Sequence, residues 1–327
     1  MKIKIDELTK ICMDILQKQG LSKEHAQIVY EEYLDAELRG RECHGFNAFL
    51  TFKPELIYFD SKPEVLRDED NLLFIDGKKN FGPIICNEFV PKLIKKAKKK
   101  HIAMMGIFNM HSYLMPGTYT RLAAENDVVG FLFNYGGAPR VAPNGSLDPI
   151  LGADTISIGI PQSDNFPIVL DMATSVIAAG KIRLAKQLGE SIPTGVAIDK
   201  NGKSTTSADE ALQGALLTFG GYKGSGLAII VEILTKIMFN LDIHDKTKVN
   251  RGFFFSFFDP STFQPITEFK ANVTKFISEI KSSRKAEGVA EIFLPGEHSE
   301  KLKRENLKKG YLEIDDKIIA GLKVMNE

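Results

Sequence analysis

The 327-residue sequence contains no tryptophan, only three cysteines, and no excess of charge of either sign. Cys12, Cys43 and Cys86 lie far apart without a CxxC pair, which argues against a disulfide framework and fits a reducing compartment. With 42 basic and 42 acidic side chains there is no general electrostatic basis for binding nucleic acid. No apolar run approaches the ~20 residues that span a bilayer, so no membrane partner is expected. The opening stretch "MKIKIDELTKICMDILQKQG" is amphipathic and carries acids, which does not read as a secretory signal; the cytoplasm is the expected location. The six histidines show no HExxH or similar ligand spacing, so no metal site is expected.

Nucleotide signatures are missing as well. There is no GxGxxG after a strand, and "SVIAAGKI" lacks the first glycine and the Ser/Thr of a P-loop. What is present is a helical start followed by alternating β-rich and helical runs. Ile11, Ile15 and Leu16 recur at helical spacing up to Gly20; Ser22 stands as N-cap of a second helix that Gly40 stops. "NAFLTFKPELIYF" reads as helix broken near Pro54. Strands are expected in "NLLFIDG", "IAMMGIFN", "VVGFLFNY", "TISIGIPQ" and "FPIVLDM", with a short one in "AEIFLPGE". Helices are expected in "PIICNEFVPKLIKKAKKK", "SVIAAGKIRLAKQLG", "GLAIIVEILTKIMF", "FKANVTKFISEIKSS" and "EKLKRENLKKG". The lysines Lys95–Lys100 favour a helix C-terminus and sit in solvent.

Three short stretches carry possible chemistry. In "DAELRGRECHGFNAF", His44 sits on a turn between Gly40 and Gly45. In "VLDMATSVIAAGKI", Asp171 ends an apolar run, Thr174 and Ser175 can cap the following helix, and Lys181 lies one to two turns in; this is either a ligand site at a strand end or an ordinary N-cap. In "FGGYKGSGLAIIVEI", Gly220, Gly221, Gly224 and Gly226 precede a helix with Lys223 beside them, either an anion cradle or a tight structural turn.

These segments, with "PGTYTRLAAENDVVGFLFN", "VAPNGS", "IPTGVAIDKNGKSTT" and "FLPGEH", occur in an order that resembles the type-2 malate/L-lactate dehydrogenase family. That family includes L-sulfolactate and ureidoglycolate dehydrogenases, diketogulonate reductase and Δ1-piperideine-2-carboxylate reductase. The resemblance runs from residue 38 to residue 298. It implies an α/β (α+β) fold: a non-Rossmann NAD(P)-binding domain at 71–249 with a largely antiparallel sheet, and a mainly helical dimerisation and substrate domain from 1–70 with 250–327. It further implies an NAD- or NADP-dependent oxidoreductase that forms a homodimer and acts on a small-molecule 2-oxo acid or cyclic imine, or oxidises the corresponding 2-hydroxy or amino acid. The cofactor is expected along Ile168, Val169, Leu170, Asp171, Met172, Ala173, Thr174 and Ser175, with Lys181, Lys223, Gly224, Gly296, Glu297 and His298. His44 matches the family's proton donor, a task suited to a group that titrates near neutrality, and Asp171 matches the acid that partners it.

The sequence departs from the family at the substrate. Cys43 stands for the serine before the histidine, and Ala48 for an arginine four residues after it, a residue suited to gripping a carboxylate. In "NMHSYLMPG", Ser112 occupies the second-histidine position and His111 precedes it; the family's "GTNP" becomes "GADT", where Asp154 adds a carboxyl group. Arg140 is either a replacement cation or a solvated loop residue. Cys43 more readily packs than attacks, since no thiol-enzyme signature accompanies it. Three readings stay open: a reductase with a remodelled pocket, an ordinary 2-hydroxy-acid dehydrogenase with a compensating cation, or a dinucleotide-binding scaffold or sensor without turnover.

Overall fold

Both ends of the chain are short β-prone runs beside amphipathic helices, and they meet. In the computed structural model, which describes residues 1–51, 57–112, 114–163, 166–241 and 251–327, β1 (Lys2–Lys4) pairs antiparallel with β11 (Tyr311–Glu313). Around this pair lie α1 (Ile5–Lys18), α2 (Lys23–Leu38) and α3 (Phe46–Phe49) from the start of the chain. The C-terminal helix α11 (Asp316–Asn326) completes the group. Leu8, Cys12, Ile15 and Leu16 of α1 face Tyr30 and Tyr33 of α2, and Phe46 and Phe49 of α3 close the core. The expected punctuation is present: the Ser22 side chain accepts the His25 N–H, and Gly20 and Gly40 follow their helices at φ +92° and +68°.

The middle of the chain forms a seven-stranded sheet. Its members are β2 (Glu64–Glu69), β3 (Leu72–Asp76), β4 (Ile102–Met110), β5 (Val129–Asn134), β6 (Thr155–Ile160), β7 (Ile168–Ala173) and β10 (Arg251–Phe258), in the order β2-β3-β4-β10-β5-β6-β7. Only β3 and β4 run parallel, joined by the crossover helix α4 (Gly82–Lys100); every other neighbouring pair is antiparallel. β10 shows why the sheet holds. Phe253, Phe255 and Phe257 point into the core under α4 and α5 (Gly117–Glu125), while Phe254 and Phe258 stack on Phe133 and Phe131 across the other face. The chain beyond 250 therefore supplies an interior strand of the central layer as well as helices; the expected division at 249/250 lies outside the described residues.

A third layer holds α6 (Ala179–Leu188), α7 (Ala208–Gln213), α8 (Tyr222–Glu232) and the small pair β8 (Ala197–Ile198) and β9 (Ala215–Leu216) around Val141, Leu151, Ile182 and Ala228. α8 runs on into a π-helical turn, Ile233–Ile237. Two long helices, α9 (Ile266–Ser282) and α10 (Glu297–Lys309), follow β10. Among the described residues no helix is long and apolar enough to cross a membrane.

Three local expectations are corrected. "AEIFLPGE" forms no strand, because it meets the edge strand β7 only through the Val169 N–H bond to the Pro295 carbonyl. Thr174 and Ser175 do not cap α6, which begins at Ala179: Thr174 Oγ1 donates to the Asp154 carbonyl and Ser175 Oγ to that of Ile177. Of the helix expected from Asn47, the described residues show the single turn of α3, and its break at Pro54 lies outside them.

Candidate active site

His44 ends a 3₁₀ turn, Glu42–His44, and donates its backbone N–H to the Arg41 carbonyl at 2.7 Å. Below the turn lies the buried carboxylate of Glu37, which accepts the Phe46 N–H at 2.9 Å. A Cβ on Gly45 would fall 2.0 Å from Glu37 Oε2, so a larger residue there would push the acid's side chain out of its place under the turn. Burial, opposed by the Phe46 bond, pushes the Glu37 carboxyl up to about 7. On the other side the turn packs on α6, where a Cβ at Gly180 would sit 3.0 Å from the Cβ of Cys43.

The imidazole is half-buried, and among the described residues it has no hydrogen-bond partner. Burial first, and then the charges of Arg41 and Arg183, pull its pKa down to about 4. It is therefore a neutral base at pH 7 in the free chain. The Cys43 thiol is raised by burial despite Lys181 and Arg41, so it remains a protonated thiol and a poor nucleophile.

Asp171 is held by the start of α5. Its Oδ2 accepts the Gly117 N–H at 3.0 Å, and it makes no hydrogen bond with His44. Burial raises its carboxyl, opposed by Gly117, Arg41 and Arg121. Asp171 lies in a narrow groove with Arg39, Arg41, Arg121, Phe166, Val169, Gly296, Ser299 and Glu300. Arg41 links the two groups, since its charge bears on both Asp171 and His44.

Two of the segments expected to hold the cofactor converge here. Val169 donates to Pro295, which brings 168–175 beside Gly296, held at φ +83° at the start of α10. Glu297 is occupied structurally: its buried carboxylate accepts the Leu294 N–H and pairs with Lys281 and Lys301. His298 packs edge-on against Phe293 at 5.3 Å. The glycine cluster joins from the third layer, where Phe219 N–H donates to the Thr174 carbonyl at 3.1 Å. Gly224 lies so close that a Cβ would meet the Phe219 and Thr174 carbonyls at 2.4 and 2.9 Å. Lys223 and Lys181 are exposed on the first turns of α8 and α6. The groove is rich in arginine and bordered by an αL glycine, a chemistry suited to phosphate oxygens.

The remaining candidates lie around one loop and one strand end. Asn109, Ser112 and Leu114 all take positive φ, an uncommon cluster for non-glycine residues and one characteristic of ligand loops. His111 is half-buried, its backbone bonded to Asn80 and Gly82, and burial followed by Arg251 and Lys79 lowers its pKa. Arg140 is half-buried and lies within electrostatic range of Arg183 and Arg251. Asp154 is fully buried with Oδ1 accepting the Gly136 N–H at 3.0 Å. Burial, and then Glu232, push its carboxyl well above the usual range, so the extra negative charge expected there is suppressed. Arg41, Arg121, Arg183 and Glu37 were not legible as site residues; the one signal was a second cation three residues before His44 in the same turn.

Residues 3–323 match the malate/L-lactate dehydrogenase family. The malate/(S)-sulfolactate dehydrogenase of Methanothermus fervidus is 33% identical over 99% of this chain and 96% of its own length. The Δ1-pyrroline-2-carboxylate/Δ1-piperideine-2-carboxylate reductase of Pseudomonas aeruginosa is 33% identical over 71% of each chain. Among solved structures, the sulfolactate dehydrogenase of Methanocaldococcus jannaschii superposes with a TM-score of 0.85 at 32% identity, covering 99% of this chain and 96% of that one.

Proposed function

This chain belongs to the malate/L-lactate dehydrogenase family and is a dehydrogenase or reductase of that type; on this premise we propose that it reduces a 2-oxo acid or a cyclic imino acid with NADH or NADPH, His44 giving the proton. The observation that carries the reading is the imidazole itself: half-buried on a glycine-closed turn, neutral, and with no partner among the described residues. Such a group is free to exchange a proton with a substrate oxygen or nitrogen.

When bound, the nicotinamide supplies the hydride. Val169, Asp171 and Gly296 would line its groove, with Arg39 and Arg121 near its phosphates, and Lys181, Lys223 and Gly224 would meet it from the third layer. Asp171 is assigned a positioning role through Arg41, the cation that bears on both it and the histidine. His111, Ser112 and Arg140 would border the substrate on the strained loop side, and Cys43 would pack beneath it. The three cysteines are free thiols, two of them buried, which suits the cytoplasm.

The test is calorimetric titration of NADH and NADPH in parallel, then a panel of 2-oxo acids and cyclic imino acids followed at the nicotinamide absorbance. Oxidation of one reduced cofactor by an acid of either class is expected. Tight cofactor binding with no turnover across the panel would favour a scaffold or sensor.

We also assign a homodimer, built on α8. "GLAIIVEIL" is apolar apart from Glu232; Ala228 and Val231 are buried, but Leu227, Ile229 and Ile230, with Ile233 and Ile237 of the π-helical turn that follows, are exposed. Such a stripe on a water-facing helix calls for a partner. The double substitution Ile230→Asp with Ile233→Asp is expected to convert a dimer to a monomer in light scattering after size exclusion. A wild-type monomer would refute the assignment.

A further inference from the structure

Position 48, where a carboxylate-gripping arginine was expected, carries an alanine that packs against the N-terminal core. The cations nearest His44 arrive from two other places. Arg41 stands on the turn itself, three residues before the histidine. Arg183 stands on α6, three residues after Gly180, and the close seating of Gly180 against Cys43 carries it to the same histidine. Both are exposed, and among the described residues neither side chain makes a hydrogen bond or an ion pair. Neighbouring arginines are matched: Arg39 by Asp35 and Glu300, and Arg121 by Asp35. Arg140 lies within electrostatic range of Arg183 and adds a third positive charge, and the carboxyl group that Arg41 bears on, Asp171, is already bonded to the Gly117 N–H.

We propose that Arg41 and Arg183 form the anion subsite for the substrate, gripping its carboxylate from two sides beside His44 in place of a cation at position 48. This rests on the reading of His44 as the proton donor. Guanidinium is the fitting group, since its planar fork bonds both carboxylate oxygens and stays charged at every working pH. The arrangement has a second consequence. The two cations that hold the carboxylate also repel a proton from the imidazole. An anion seated between them removes that repulsion and leaves only the effect of burial, so the proton affinity of His44 rises as the acid binds. The charged groups facing the turn are Glu37 on α2 and Arg39 just after it, Lys181 and Arg183 on α6, and the Asp171 carboxyl beside Arg41, with Arg41 and Glu42 on the turn itself. Acid binding thereby prepares the donor, and an empty site leaves it neutral.

The experiment is calorimetric titration of oxamate, a non-reducible 2-oxo acid mimic, and of pyrrole-2-carboxylate, a flat mimic of a cyclic imino acid, into the dinucleotide-saturated protein. Two buffers of different ionisation enthalpy report the proton uptake. Arg41→Gln and Arg183→Gln are each expected to weaken acid binding about tenfold or more, the usual loss for a charge-assisted bond. Each also reduces proton uptake, and each changes dinucleotide affinity less than acid affinity. Arg183→Lys, which keeps the charge without the fork, recovers part of the loss. Unchanged acid affinity in both glutamine variants overturns the subsite but leaves the proton donor standing, because that role is read from His44 turnover. A fall in dinucleotide affinity with acid affinity intact assigns these arginines to cofactor phosphates and overturns it too. Wild-type protein that binds neither acid removes the subsite together with the reading it serves.

Discussion

His44→Ala is expected to lower turnover by about 10²–10⁴-fold, the usual loss for a missing general acid, while dinucleotide affinity stays unchanged. The imidazole does not line the groove that holds Asp171 and Gly296, so removing it leaves those contacts intact. The pH dependence carries a sign that distinguishes this histidine from one with an ordinary pKa. Burial, Arg41 and Arg183 hold it near 4 in the free chain, below the usual ~6.5. In the oxidative direction the free enzyme needs the neutral ring, so kcat/KM should hold down to about pH 4 and fall only below it. In the reductive direction the protonated ring is required, so kcat/KM should fall as pH rises through the same value. Steady-state profiles of kcat/KM in both directions, for the wild type and His44→Ala, check this. The variant should lose both inflections with most of its activity. Turnover retained in the variant would remove His44 from the mechanism.

What the sequence revealed and what it hid divide along a physical line. The caps at Ser22, Gly20 and Gly40, and the alternating phenylalanines of β10, are local signals, because a turn or a two-residue period is decided by neighbours in the chain. The largely antiparallel sheet and the meeting of the two chain ends followed from a resemblance carried by long motifs. The electrostatic surroundings of His44 were not legible. Arg183 is far from it in sequence and reaches it only because α6 seats on Cys43 through Gly180. Glu37 looks like an ordinary helix acid until the turn folds back and its carboxylate meets the Phe46 N–H. Asp171 matched a motif, yet its carboxylate is taken by the Gly117 N–H at the start of α5, a contact between segments 54 residues apart. "AEIFLPGE" carries a short β-prone apolar run, but such a run cannot by itself supply the partner edge that a strand needs.

Asp35→Ala is expected to cost about 3–5 kcal/mol of stability, because it strands buried charges rather than removing a surface pair. Asp35 accepts from Arg39 Nε at 2.7 Å, Lys303 Nζ at 2.6 Å and Arg121 Nη1 at 3.3 Å. Arg39, only 5% exposed, continues to Glu300 at 2.7 Å. One carboxylate thus ties α2, α5 and α10 together, and Arg39, Arg121 and Glu300 are walls of the same groove. Without Asp35, Arg39 keeps one partner and the half-buried Arg121 loses its ion pair. Denaturant unfolding at pH 7 should show the loss, and dinucleotide affinity should weaken as the groove's arginines lose their anchor. The pH dependence separates charge from packing. Burial opposes ionisation of Asp35, but Arg121, Arg39 and Lys303 outweigh it and hold the carboxyl below its usual range. Its contribution is therefore fully present above the unfolded-state value of ~3.9 and fades as pH falls through the lower folded-state value. The gap between wild type and Asp35→Ala should narrow in acid. A gap that stays constant from pH 7 to pH 3 would mean that Asp35 holds these helices by shape and not by charge.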